Sequence, residues 1–226
     1  MNAAIHIEQL TIAYQQRAGT TKTITRRLDT IVEGATLTAL MGRNGTGKST
    51  LIRVIAGLQE PQEGRVRIAG EDVAGMSPQR RARHISIVLP HRPEATYLTV
   101  RELVEMGRHP YTGYFGTLTD DDRLIVDEAI SRMHLEALAS TPVDTLSDGE
   151  AQKAAIAKAL AQQTPVILLD EPTAFLDYES RQELMELLRL LAHDEGRTIL
   201  LSTHDVELAH RYADRCLRME ELSASN

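Results

Sequence analysis

The sequence predicts an α/β protein with a mostly parallel core sheet, an antiparallel β layer at its N-terminus and a helical lobe inserted in the core. Three observations carry this expectation. The stretch Gly42-Arg43-Asn44-Gly45-Thr46-Gly47-Lys48-Ser49 fits the phosphate-loop pattern G-x-x-x-x-G-K-[ST] at every fixed position, with an apolar run before it and a helical pattern after it. Two apolar runs, Pro165-Val166-Ile167-Leu168-Leu169-Asp170 and Arg197-Thr198-Ile199-Leu200-Leu201-Ser202-Thr203, read as strands buried on both faces, as parallel strands between helices do. Between Thr99 and Ser140 the pattern turns helical.

In chain order, Ile5 to Ile12 alternates apolar and polar residues and reads as a half-exposed antiparallel strand. Tyr14 follows at its end. Its ring is compatible with stacking on a purine and equally with packing on its own sheet. Residues 15–23 are polar with Gly19 and read as a surface turn before a second strand. Thr36 to Met41 is a short buried strand, and Thr50 to Ala56 is a helix. Residues 57–64 form a turn, and Arg65 to Gly70 alternates as a strand. Ser77-Pro78 is an N-cap followed by a proline suited to the first helical position. The short helix it opens leads to a buried strand, Ile85 to Leu89.

Thr99 and Glu102 form a capping-box pattern, and Thr119 precedes three aspartates suited to the positive end of a helix. Leu124, Val126, Ile130 and Met133 supply most of the apolar face of that helix. Ser147-Asp148-Gly149-Glu150 opens a further helix to about Gln163. Another helix spans Glu179 to about Glu195, before Arg197 to Thr203 as the last buried strand. The whole chain, 1–226, reads as one domain with the lobe at about 92–162.

At 226 residues the chain can bury a substantial core, and its hydrophobic content of 42% is ordinary. No run approaches the roughly 20 apolar residues of a spanning helix, and Met1-Asn2-Ala3-Ala4 lacks the pattern of a signal peptide. A cytoplasmic protein is expected. The single cysteine, Cys216, agrees with a reducing compartment and reads as a small apolar filler. The formal charge of −7 argues against a nucleic-acid partner, and Arg80-Arg81-Ala82-Arg83 reads as a solvated helix face.

The chemistry begins at the phosphate loop. Glycines let backbone N–H groups crowd a polyphosphate, the helix behind them turns its positive end toward it, and Lys48 adds a charge near the β and γ groups. Gly42, Arg43, Asn44, Gly45, Thr46, Gly47, Lys48, Ser49 and Thr50 are the expected cradle for ATP. The Ser49 hydroxyl is suited to Mg²⁺, with Asp170 as second support. Glu171, the next residue, is suited to orient and deprotonate a water for attack on the γ-phosphate. His204 follows a buried strand at the edge where ligands bind in open α/β sheets, and a γ-phosphate contact is expected of it.

Gly42 to Ser49, Leu146-Ser147-Asp148-Gly149-Glu150, Val166 to Glu171, Ala174-Phe175-Leu176-Asp177 and His204 together resemble, in order and separation, the nucleotide-binding subunits of ABC transporters. The resemblance implies a P-loop NTPase of ABC type with Tyr14 as adenine-stacking aromatic, Asp170 as Mg²⁺ acid, Glu171 as catalytic glutamate, Asp177 as cross-dimer aspartate and His204 as switch histidine. It also implies that Ser147 and Gly149 contact the γ-phosphate held by a second copy, so that two ATP molecules are clamped head to tail. Three departures stand out. The usual Gly-Gly-Gln is Asp148-Gly149-Glu150, and Glu150 is expected to hydrogen-bond ribose in place of the amide. A Gln that senses Mg²⁺ and the membrane partner is replaced by His91, expected to weaken coupling because imidazole suits a hard cation poorly. The stretch after Arg215 to Met219 is shorter than in family members.

Thr99 to Tyr111, with Gly107-Arg108-His109-Pro110-Tyr111, resembles the branch that imports iron complexes, haem and cobalamin. This implies permease partners, an indirect substrate-binding protein, and a peripheral place on the cytoplasmic face of the inner membrane. Ferric siderophore is the expected cargo, with haem or cobalamin as the alternative. Tyr111, Tyr114 and Phe115 are the expected permease interface, unless that loop packs locally. A soluble ABC ATPase acting on DNA or ribosomes, and a regulatory module without turnover, are the readings from other classes. The first lacks its coiled-coil insertions or tandem cassettes, and retained Glu171 and His204 oppose the second.

Overall fold

The computed structural model describes residues 4–15, 21–90, 97–113 and 116–224; within these, the side chains of 14, 15, 21, 22, 223 and 224 are not described. Two sheets form the core. The antiparallel sheet has the order β2-β1-β4-β5, from β1 (Ile5–Gln15), β2 (Thr21–Val32), β4 (Glu63–Ile68) and β5 (Glu71–Asp72). The second sheet has the order β6-β7-β8-β3-β9, from β3 (Leu37–Met41), β6 (Ile85–Val88), β7 (Val166–Asp170), β8 (Thr198–Thr203) and β9 (Arg215–Arg218), every pair parallel.

All residues of β3, β7 and β8 are buried, which is why their sequences are predominantly apolar. Alternate residues feed two cores. Leu40, Leu168 and Leu200 pack with the antiparallel sheet and α1 (Lys48–Ile55). Ala39, Leu169 and Leu201 face the other way, toward α6 (Tyr178–His193), α7 (Val206–Tyr212) and the helical block. Asp170, Thr203 and Met41 therefore lie at one edge of the sheet, paired in register through β8.

Ser77 caps α2 (Pro78–His84) with proline in its first turn, as the sequence predicts. The helical block comprises α3 (Val100–Glu105), α4 (Asp120–Arg132) and α5 (Asp148–Ala161), and each of the three opens with a capping box. One residue of the predicted α4 face is wrong. Leu124 is 67% exposed, while Val126, Ala129, Ile130 and Met133 are buried. Leu124 lies two residues before Val126, about 200° around the helix, so it points away from the face set by 126, 130 and 133.

Thr198–Thr203 is not the last strand, because β9 adds parallel to β3 before α8 (Met219–Ala224). Its polar ends, exposed at Arg215 and Arg218, hid it from an apolar-run reading. Among the described residues no helix is long and apolar enough to cross a membrane.

Candidate nucleotide site

The phosphate loop leaves β3 at Gly42 and enters α1 at Lys48. Gly47 caps α1 with φ of 104°, a conformation that favours glycine, and a Cβ there would lie 2.3 Å from Ile24 Cγ2. Thr46 Oγ1 donates to the Arg43 carbonyl at 2.8 Å and closes the loop. No side chain caps the N-terminus of α1, so its first N–H groups are available to phosphate oxygens. Lys48 is buried, and its Nζ donates to the Gly42 carbonyl at 2.8 Å.

The acidic end of β7 meets this loop. Asp170 is 0% exposed; its Oδ1 accepts from Ser202 Oγ at 2.6 Å, while the buried Oδ2 has no hydrogen-bond partner. A carboxyl oxygen left bare in a buried position suits a cation or its bound water. Glu171 adopts φ of 52°, unusual for a residue with a side chain, and its N–H donates to the same Ser202 Oγ at 2.9 Å. Its carboxylate bridges Lys48 Nζ at 3.2 Å and His204 Nδ1 at 2.6 Å. Lysine, glutamate and histidine thus converge beside the phosphate loop. Asn44, Gly45, Gly47, Lys48, Ser49, Thr50, Glu171 and His204 all line one cleft of about 500 Å³.

Ser147, Gly149, Glu150 and Asp177 do not line that cleft. They lie at the starts of α5 and α6. Exposed Ser147 and half-buried Glu150 make a reciprocal pair. Glu150 Oε2 accepts from the Ser147 N–H at 2.8 Å and from Ser147 Oγ at 2.7 Å, and the Glu150 N–H donates to Ser147 Oγ at 3.3 Å. These bonds hold the Glu150 carboxyl below its ordinary range. The carboxylate expected to take ribose is thus engaged within its own helix. A Cβ on Gly149 would lie 3.0 Å from the Phe175 carbonyl, so glycine lets α5 close on the loop before Asp177. Asp177 caps α6, accepting from the Ser180 N–H at 2.8 Å, a bond that lowers its pKa.

The Tyr14 side chain, His91, Tyr114 and Phe115 lie outside the described residues. Tyr111 is locally packed: the guanidinium of Arg108 stacks on its ring at 4.3 Å and that of Arg83 lies 5.5 Å from it. Arg83 Nε also donates to the Pro110 carbonyl at 2.8 Å, so the basic run on α2 holds this turn rather than merely facing solvent. Sequence reasoning missed Ser202, which ties Asp170 to Glu171, and Ile24, which fills the space under the loop. A hydroxyl two residues before His204 on a strand pairing with the acidic one is the available signal for Ser202.

A phosphate loop at a helix start, facing a buried aspartate, a glutamate and a histidine at the ends of parallel strands, defines a P-loop ATPase. Residues 25–174 match the family described as ABC transporter, and the chain belongs to that family. It is 39% identical over 222 residues to the achromobactin transport ATP-binding protein CbrD of Dickeya dadantii (strain 3937), covering 98% of this chain and 80% of that one. It is 36% identical over 219 residues to the iron(3+)-hydroxamate import ATP-binding protein FhuC of Bacillus subtilis (strain 168), covering 96% and 79%. The cobalamin import ATP-binding protein BtuD of Halobacterium salinarum is 43% identical over 193 residues, which is 84% of this chain and 48% of that protein. Among solved structures, the dimeric bacterial ABC transporter cassette MJ0796 superposes with a TM-score of 0.86 at 28% identity, over 95% of this chain and 94% of that one.

Proposed function

We propose that this ATPase, acting as one domain over residues 1–226, powers an ABC importer of an iron complex, with a ferric siderophore as cargo. What supports the cargo is the run of relatives that carry iron complexes in their names, the iron(3+)-hydroxamate and ferric enterobactin proteins among them. The cobalamin import relative supports cobalamin as the second reading. In the working enzyme two copies clamp two ATP molecules head to tail; the similarity to a dimeric cassette, with Ser147, Gly149 and Asp177 absent from the lining of the phosphate-loop cleft, supports that reading.

Ser49 and Asp170 would hold Mg²⁺, which would supply neutralisation of phosphate charge; the bare buried Oδ2 of Asp170 fits that role. Lys48 binds phosphate oxygens, which frees Glu171 to take a proton from the attacking water, and His204 orients the γ-phosphate. Tyr14 stacks on adenine. The assembly sits on the cytoplasmic face of the inner membrane against permease subunits, with a substrate-binding protein on the far side. His91, in place of the family's glutamine, lowers coupling to the permease, so His91→Gln should raise permease-stimulated ATPase; an unchanged rate contradicts it. Purification from native membranes should recover an integral permease and uptake of ferric siderophore that Glu171→Gln abolishes. Recovery with ribosomes or DNA and no membrane protein would overturn the reading.

A further inference from the structure

A serine hydroxyl has one proton to give, and in this protein Ser147 gives it to Glu150. The bond of 2.7 Å is to an ionised carboxylate, the class of hydrogen bond that is roughly twice as strong as a neutral one. The same hydroxyl accepts the Glu150 N–H at 3.3 Å, so both residues of the box hold it in one orientation. A phosphate oxygen of a second copy's ATP that is to receive the Ser147 proton must therefore take it from a carboxylate. Once it has, two anions, the phosphate and Glu150, lie on either side of the same oxygen.

We propose that Glu150 is a positioning residue that sets the ATP threshold for closing the two-copy sandwich: its charge holds the Ser147 proton in reserve. This rests on the reading that Ser147 meets the γ-phosphate of a second copy. An amide at position 150 still completes a capping box but accepts the Ser147 proton more weakly, so closure requires less ATP. An aspartate keeps both charge and box, as Asp122 shows with Thr119 in α4, where Oδ2 accepts from Thr119 N–H at 3.0 Å and Oγ1 at 2.8 Å.

The test is ATP-driven dimerisation followed by light scattering in the non-hydrolysing Glu171→Gln background, with thermal melting to confirm folding of each variant. Adding E150Q should lower the ATP concentration at half-dimerisation several-fold, adding E150D should leave it within about twofold, and adding S147A should raise it. An unchanged or raised midpoint for E150Q, with S147A still raising it, overturns the role of Glu150 and leaves the Ser147 contact standing. A folded S147A variant with an unchanged midpoint, or no ATP-driven dimer in the parent, overturns the Ser147 reading and the proposal with it.

Discussion

Ser202 is the residue on which both acidic side chains depend. Its Oγ donates to Asp170 at 2.6 Å and accepts the Glu171 N–H at 2.9 Å, fixing the proposed metal acid and the strained backbone of the proposed base through one atom. Ser202→Ala should lower kcat by about tenfold, the cost of losing a partner that orients a ligand side chain, with ATP affinity little changed. Steady-state phosphate release beside equilibrium nucleotide binding separates the two. Glu171→Gln removes the proton acceptor and should lower kcat by about a hundredfold or more, in the same assay. Lys48 and Ser49 are legible in sequence because the loop that carries them is a local pattern, and Asp170 and Glu171 because they end a continuous apolar run. Ser202 is not, because its tie to Asp170 spans a strand pair and depends on the register Asp170↔Ser202.

At the scale of elements, the join between the lobe helices is made by close approach and a buried ion pair. A Cβ on Gly107 would lie 2.4 Å from the Lys158 carbonyl, so Gly107→Ala must push α5 away from the turn after α3. It should destabilise the protein by about 1–3 kcal/mol, read from urea unfolding. Arg108 Nε donates to Asp122 Oδ1 at 2.8 Å, and both side chains are nearly buried.

The Thr119 N–H, followed by Arg108 and the Thr119 hydroxyl, lowers the Asp122 pKa to about 2 from an ordinary 3.8. A carboxyl with a depressed folded-state pKa contributes stability above its unfolded value and loses it as pH falls through the folded one. The stability difference between wild type and Asp122→Asn should therefore shrink between about pH 4 and pH 2, in unfolding curves taken across that range. The Thr99–Glu102 capping box of α3 is readable because such a box is a local four-residue pattern. The exposure of Leu124 is not, because an apolar residue matches helical spacing loosely while its angle turns it off the buried face.

For the whole molecule, the alternation of strands and helices predicts the parallel sheet, but its order β6-β7-β8-β3-β9 rests on pairings distant in sequence. That order places the phosphate loop beside the strand carrying His204, and so builds the cleft. Ser147 and Gly149 are not among the residues that line that cleft, which a motif reading alone does not tell. In the proposed two-copy assembly the chain carries two half-sites rather than one complete site. The direct measurement is ATPase rate against protein concentration for the isolated chain at saturating Mg-ATP. Two half-sites that meet only in a dimer predict a specific activity that is low when dilute and rises with concentration to a plateau. A specific activity constant from dilute to concentrated protein, with no dimer present, would contradict the account.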